Sequence, residues 1–323
     1  MIRRSRQFYA SDEGRRSWRP RGRFLRVLLA ILCLGAVIAA GSYAVVRVTA
    51  ARSARPRPVD RDIVLGFWQE RDYQSVSEAC DISLELEPLD PFYLTFKGFS
   101  AFYLGVHDPD AAVRGARMDE AVFAIRKALV DDAAPLRPEA MYVLGKAYYH
   151  KGDGYYDEAL ASLDDAVAAG IDTADAWEYL ALAAGSAGLP DRSVGYFRKA
   201  VAANPEAPGL LLAAATAFRG QGDLEAAEAY AVRAASLSAD DYVTERCEFL
   251  IAEIYRATGR SEQALAVYSA IRDRNPESAE AWYQEGLLYQ ELGDPLKARA
   301  SWRKAVSIDP MHAGARQKLA ERA

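Results

Sequence analysis

The chain has 323 residues, of which 51% are hydrophobic, 26% charged and 11% aromatic, and its formal net charge is −5. These proportions are those of a globular protein and exclude a mainly disordered chain. Three cysteines are too few for a disulfide scaffold. The three histidines, His107, His150 and His312, are far apart in the sequence. We therefore expect no metal site.

The first part of the chain, residues 1–26, is strongly basic. It contains nine arginines and two acidic residues, a net charge of +7, which leaves −12 for the rest of a chain whose total is −5. A basic segment of this kind can contact nucleic acid or anionic lipid headgroups. Because an apolar segment follows it, we interpret it as a cytoplasmic tail that contacts anionic lipid. The charge of −12 opposes polyanion binding, so no nucleic-acid partner is expected.

Residues 27–46 contain no charged side chain. As a helix they would span ~30 Å, the thickness of a bilayer core. A buried core helix is a poorer interpretation, because the segment is long and arginines flank it on both sides. A cleavable signal peptide is an alternative, since Ser42, Tyr43 and Ala44 have the small-x-small form of a cleavage site. The long basic leader favours a retained transmembrane helix, followed by a linker at 47–56.

The arginine distribution predicts the orientation of this span. Nine arginines precede it and four follow it closely, namely Arg47, Arg52, Arg55 and Arg57. Positively charged flanks remain in the cytoplasm. We therefore expect a cytoplasmic N-terminus and an extracytoplasmic body.

Residues 57–323 contain an internal repeat with a period near 34 residues. Tryptophan, glycine, tyrosine, alanine and proline recur at fixed places, most clearly in 279–312, in the segment 34 residues before it, and in 174–207. The residues that carry the pattern are Trp282, Gly286, Tyr289, Ala298 and Pro310, then Tyr255, Gly259 and Pro276, then Trp177, Gly188 and Pro205. The segment 34 residues before 279–312 is the repeat at 245–278, and weaker copies cover 57–90, 91–135, 138–173 and 208–241.

This pattern resembles the tetratricopeptide repeat family, and more closely its membrane-anchored bacterial members. The resemblance implies an all-α superhelix, an α-solenoid, of about seven helix-turn-helix repeats with a short C-terminal capping helix. Glycine and alanine would stand where two helices approach closely, and proline would follow the second helix. One unit cannot bury its own apolar face, so neighbouring repeats must stack.

No catalytic pattern is present in the sequence. It has no G-x-S-x-G, H-E-x-x-H, C-x-x-C or phosphate-loop motif. We therefore predict a protein that is not an enzyme, with no catalytic residues and no cofactor.

The resemblance implies a concave groove lined by the first helix of each repeat. In the second and third repeats the aromatic residues at these positions form a strip: Phe92, Phe99, Phe102, Tyr103, Tyr142 and Tyr149. We predict that this aromatic strip and the neighbouring Lys146 bind a partner. The alternative is that these side chains pack internally, against the first repeat or the inserted residues 106–116. Groove positions in later repeats include Leu182, Leu212, Thr216, Arg219, Phe249, Glu253, Arg256 and Glu280.

The main functional hypothesis is an interaction scaffold at the bacterial inner membrane. A single transmembrane helix would anchor it, and the concave groove would dock proteins or peptides for envelope assembly, secretion or maturation complexes. The alternative is a lipid- or glycan-binding accessory protein of the cell envelope, in which the aromatic strip holds an acyl chain or a sugar.

Overall fold

The computed structural model describes residues 41–42 and 57–321. Gly41 and Ser42 are helical and exposed. The predicted basic tail, the linker at 47–56 and the rest of the predicted span at 27–46 lie outside the described residues. Within the part that the structure describes, no helix is both long enough and apolar enough to cross a bilayer.

The described residues from Arg57 onward form fifteen α-helices and contain no strand. In chain order these helices are α1 (Arg61–Gln69), α2 (Tyr73–Leu86), α3 (Pro91–Gly105), α4 (Ala111–Ala128), α5 (Arg137–Lys151), α6 (Tyr156–Ala168), α7 (Ala174–Ser186), α8 (Pro190–Ala203), α9 (Pro208–Gln221), α10 (Leu224–Leu237), α11 (Asp241–Ala257), α12 (Ser261–Arg274), α13 (Ala279–Glu291), α14 (Pro295–Ile308) and α15 (Ala313–Ala320).

Local sequence determines where many of these helices begin. Seven of them follow an aspartate whose carboxylate accepts a hydrogen bond from a backbone N–H in the first turn: Asp60, Asp72, Asp90, Asp110, Asp223, Asp240 and Asp294. Such a cap satisfies one of the donors that a helix start leaves free. Proline stands in the first turn of α3, α5, α8, α9 and α14, where its missing N–H costs nothing.

The helices pack as a stack of neighbouring pairs. Each helix contacts the next one along the chain, from α1 and α2 to α14 and α15. The first helices of adjacent pairs also contact one another directly, as in α3 with α5, α5 with α7, and α9 with α11. First helices therefore form an inner layer and second helices an outer one, as in an α-solenoid.

The repeat residues stand where helices approach or turn. An added Cβ at Gly286 would lie 2.4 Å from the indole Nε1 of Trp302, so only glycine lets α13 and α14 approach this closely. Gly188 and Gly259 follow the first helix of their repeats with φ of +74° and +75°, a conformation that favours glycine. Other residues of the pattern are the buried Ala298 and the prolines Pro205, Pro276 and Pro310, which are exposed in turns after second helices.

The aromatic residues of the pattern lie beneath cationic side chains. Trp177 has Lys199 Nζ 4.0 Å from its ring centroid, and Trp282 has the Arg272 guanidinium at 4.2 Å. Two tyrosines of the pattern are covered in the same way, Tyr255 by Arg260 at 4.4 Å and Tyr289 by Lys297 at 5.2 Å. These cation–π contacts hold the apolar ring faces away from water.

Candidate functional site

The three phenylalanines of the predicted aromatic strip are buried. Phe92, Phe99 and Phe102 retain 8%, 3% and 1% of their accessible surface. The ring of Phe99 lies 5.6 Å from that of Trp68 in α1. The expectation that these three rings face an open groove is therefore corrected. Phe92 and Phe99 pack against side chains of the first repeat, and Phe102 lies beside Lys146 and His150 of α5.

The tyrosines of the strip are partly exposed. Tyr103 stacks on Tyr73 of the first repeat, with ring centroids 4.9 Å apart. Tyr149 lies edge-on to Tyr179 of the fourth repeat at 5.5 Å. The structure therefore divides the strip, because its first part packs on repeat one and its second part, around Tyr142, Lys146 and Tyr149, joins repeats three and four.

Lys146 lies at the centre of this second part. Its Nζ donates to Asp175 Oδ2 at 2.9 Å and to the Tyr142 hydroxyl at 3.2 Å. The same nitrogen lies 4.5 Å from the ring centroid of Tyr179 and 5.5 Å from that of Phe102. The Tyr142 hydroxyl also donates to Asp175. A single cation thereby ties α5 to α7 through one carboxylate and several aromatic faces.

Burial alters the protonation of this cluster. Burial lowers the pKa of Lys146 to about 8, against an opposing effect of the Glu178 carboxylate. Burial also raises the pKa of Asp175 and that of Glu178. Burial lowers the pKa of His150, whose Nε2 lies 3.0 Å from the Tyr179 hydroxyl, and the charge of Lys146 adds to this effect. Each shift favours the neutral form, as expected for groups withdrawn from water.

We expect the Lys146 shift to appear in the pH dependence of stability. Between pH 8 and 10.5 the folded state has released the Lys146 proton while the unfolded state still holds it. Because the unfolded state then binds more protons, the free energy of unfolding rises with pH relative to a Lys146→Met variant. We expect a relative gain of about 1 to 2 kcal/mol, reduced from the full linkage value because the amine is partly open to water.

The measurement is urea unfolding of both proteins at pH 7.5 and pH 10.5. Lys304→Met removes a positive charge from an exposed position on α14 and serves as the matched control. A Lys146→Met difference curve that stays flat over this interval, or falls, would contradict a desolvated lysine at this position.

An extended open surface lies over the inner helices of repeats four to seven and part of α8. Three adjoining cavities of about 350, 390 and 390 Å³ form it, and we call it the central groove. The middle cavity shares Leu212 and Thr216 with one neighbour and Arg219 and Glu253 with the other. The residues that line the central groove include Leu182, Gly209, Leu212, Ala213, Thr216, Arg219, Arg246, Phe249, Glu253, Arg256, Glu280 and Glu291.

Charges in the central groove are mostly paired between successive repeats. Arg219 donates to Glu253 at 2.7 Å, and Arg256 lies 3.8 Å from Glu291. Glu280 lies 3.1 Å from His312 Nε2. The two arginine–glutamate pairs join the inner helices of adjacent repeats, α9 to α11 and α11 to α13.

Arg246 differs from the other groove arginines. It is exposed, and among residues 57–321 no carboxylate oxygen lies within 4.0 Å of its guanidinium. Its neighbour is the ring of Tyr242, with the guanidinium carbon 5.9 Å from the ring centroid. Arg246 lines the apolar cavity between α7 and α9 and also the middle cavity.

Sequence reasoning predicted part of the groove lining and missed other residues, among them Arg246. Leu212, Thr216, Phe249 and Glu253, which line the middle cavity, were all expected at groove positions. Arg246 stands 34 residues before Glu280, at the same place in its repeat, so the period alone was sufficient to identify it. Within the described part of the chain, no three His, Cys, Asp or Glu side chains come together as they would around a metal ion.

The fold defined by these helices is a repeat solenoid of the kind that serves as a protein-interaction scaffold. A family model described as tetratricopeptide repeat matches residues 110–154, 153–208, 180–242 and 249–313, more than half of the chain. The chain belongs to the tetratricopeptide repeat family, whose members bind peptide or protein partners.

Solved structures match this chain at low sequence identity. The C-terminal part of a TPR repeat-containing protein from Cytophaga hutchinsonii is 16% identical in sequence, with a TM-score of 0.62. The match covers 81% of this chain and 100% of the Cytophaga chain. The pilF protein of Pseudomonas aeruginosa is 18% identical in sequence, with a TM-score of 0.49. That match covers 72% of this chain and 94% of the pilF chain. The likeness to the Cytophaga hutchinsonii protein concerns the fold alone. No curated protein matches the sequence significantly.

Proposed function

We propose that this protein is a membrane-anchored scaffold whose central groove docks a segment of a partner protein. The observation that carries the proposal is the run of three adjoining cavities along the inner helices of repeats four to seven. A run of this kind suits an extended or helical peptide better than a compact small molecule, because it crosses several repeats and remains open along its length.

The chemistry of the groove supports a docking role. Leu182, Leu212 and Ala213 provide an apolar floor on one side, and the Arg219–Glu253 pair gives the other side polar character. Apolar anchors surrounded by polar groups are typical of peptide-binding surfaces. The acids and bases bind one another across repeats, which is the arrangement of structural ion pairs.

We further propose that residues 27–46 anchor the scaffold in a bacterial inner membrane with the repeats outside the cytoplasm. The support is the uncharged segment of twenty residues and the nine arginines before it. Anchoring would confine the groove to the membrane surface and raise the effective concentration of envelope partners there. A role in envelope assembly, secretion or maturation complexes would follow.

The alternative of a lipid- or glycan-binding protein is less well supported than docking in the central groove. It required the aromatic strip to present open ring faces to an acyl chain or a sugar. Phe92, Phe99 and Phe102 are buried and Tyr103 stacks on Tyr73, so little of the strip is available.

Photo-crosslinking in the native host tests the docking proposal. A benzoylphenylalanine placed at Thr216, which is exposed in the central groove, should give a crosslink to a specific protein. The same label at Val232, exposed on the outer helix α10, is the matched control and should not give that product. An Ala213→Arg change places a large side chain in the apolar cavity and should abolish the crosslink formed from the label at Thr216.

Identical crosslinked products from both labels, or a Thr216 crosslink that persists in the Ala213→Arg variant, would contradict docking in the groove.

The membrane anchor is tested separately. The chain should resist extraction from membranes by alkaline carbonate, and a phosphatase reporter that works only outside the cytoplasm should be active when fused after Ala323. An inactive reporter on a well-expressed fusion would reverse the proposed orientation.

A further inference from the structure

We propose that the central groove selects a partner segment carrying an acidic side chain next to an aliphatic one, with Arg246 binding the carboxylate. This inference rests on the proposed docking function and specifies the chemistry of the docked segment. Charge complementarity is the argument that carries it, because one groove cation differs from all the others.

The groove arginines fall into two kinds. Arg219 and Arg256 each have a glutamate of the following repeat within 4.0 Å. Arg246 has no such carboxylate among the described residues, although it belongs to the same inner layer. A guanidinium provides several donors in a planar fork that matches a carboxylate. An incoming acidic side chain therefore finds its strongest available partner at Arg246.

The surroundings of Arg246 leave room for this contact. At the equivalent place in the preceding repeat stands Gly209, where an added Cβ would meet nothing within 4 Å. At the equivalent place in the following repeat stands Glu280, which is already engaged by His312 and by the Gln284 side chain at 2.6 Å. The space beside Arg246 is therefore open on the side of Gly209, and the nearby acid has its own partners.

The aliphatic side chain of the proposed motif would bind in the adjoining apolar cavity. The apolar part of the lining of this cavity, of about 390 Å³, includes Ala181, Leu182, Ala213, Ala217 and Phe197, and Arg246 also lines it. An aliphatic side chain would remove apolar surface from water there. Because Leu212 and Thr216 border both this cavity and the middle one, the aliphatic and acidic side chains must lie within about two residues of one another in an extended segment.

This motif differs from the clamp with which some relatives hold a chain terminus. That clamp uses paired asparagines and lysines, and the two asparagines here, Asn204 and Asn275, lie at the ends of α8 and α12. A carboxylate within the segment, rather than at its end, is what Arg246 would bind.

Peptide pools can test this selection with the full chain in mild detergent. The probes are fluorescein-labelled decapeptides with amidated C-termini and random sequence, except for a central leucine followed two residues later by glutamate, glutamine or lysine. Binding is followed by fluorescence anisotropy. We expect the glutamate pool to bind about tenfold more tightly than the glutamine pool, and the lysine pool to bind most weakly.

Charge reversal provides the decisive variant. Arg246→Glu should invert the order, so that the lysine pool binds most tightly. Arg233→Glu, at an exposed position on the outer helix α10, is the matched control and should keep the original order. Because Arg246 is exposed, the thermal melting curve of Arg246→Glu should remain that of the unchanged protein.

The outcomes separate this inference from the function on which it rests. Equal binding of all three pools, or an order that Arg246→Glu leaves unchanged, would overturn the acidic motif while groove docking stands. A glutamine pool with a free C-terminus that outperforms the glutamate pool would assign the contact to a chain terminus and also overturn it. Absence of binding by every pool would remove the docking function and this inference together.

Discussion

Replacing Phe99 with alanine is expected to lower the free energy of unfolding by about 3 to 5 kcal/mol. The Phe99 side chain is 3% exposed and contacts the rings of Trp68 and Phe96 at centroid distances of 5.6 and 6.0 Å. Its removal would leave a cavity between the first and second repeats, which rigid aromatic neighbours cannot close. Urea unfolding of the full chain, followed by circular dichroism, measures the loss.

Phe123→Ala is the matched control for this change. Phe123 lies on α4 and is 69% exposed, so its removal should alter stability by no more than about 0.5 kcal/mol. If Phe99→Ala behaves like Phe123→Ala, the ring is not part of the core and the original expectation of an open aromatic strip would return.

Replacing Gly286 with alanine should cost about 2 to 3 kcal/mol. The new Cβ would lie 2.4 and 2.5 Å from the Nε1 and Cδ1 atoms of Trp302, a buried ring that donates to the Tyr283 carbonyl at 3.3 Å. Either the ring moves and that hydrogen bond weakens, or α13 and α14 separate. Alanine is the better helix former, which offsets part of the loss.

Gly195→Ala tests whether the effect comes from the close approach. Gly195 lies inside α8, and an added Cβ there meets nothing within 4 Å. This change should stabilise the protein by about 0.5 to 1 kcal/mol through helix propensity alone. Thermal melting should therefore shift in opposite directions for the two variants. Equal destabilisation would show that the glycine at 286 has no special packing role.

The fold was accessible from sequence because the repeat pattern is tied to packing. Glycine at 286 and tryptophan at 302 occur together because the small residue makes room for the large one across a helix pair. The same close approach occurs at the equivalent positions Gly98 and Gly145, beside Ile125 and Leu163, so the constraint appears in the sequence as a period. The period also places groove residues such as Leu212 and Phe249, because equivalent positions of stacked repeats face the same way.

The parts that sequence did not resolve depend on contacts outside the repeat pattern. Trp68 and Tyr73 belong to the first repeat, whose pattern is weak, and they cover Phe99 and Tyr103. The repeat period does not predict these contacts between the first and second repeats. The state of Lys146 depends on Asp175, 29 residues away, and on the ring of Tyr179. The absence of a described carboxylate beside Arg246 becomes apparent only when the ion pairs of Arg219 and Arg256 are known.

Hydrogen–deuterium exchange tests most directly whether the inner surface of the solenoid is the docking surface. The full chain is compared alone and with the partner segment identified by crosslinking from Thr216. We predict slower exchange in α9 and α11, with smaller changes in α7 and α13, because these helices line the central groove. Slowing confined to the outer helices α12 and α14, which do not line the central groove, would show that partners bind elsewhere and would contradict docking in the groove.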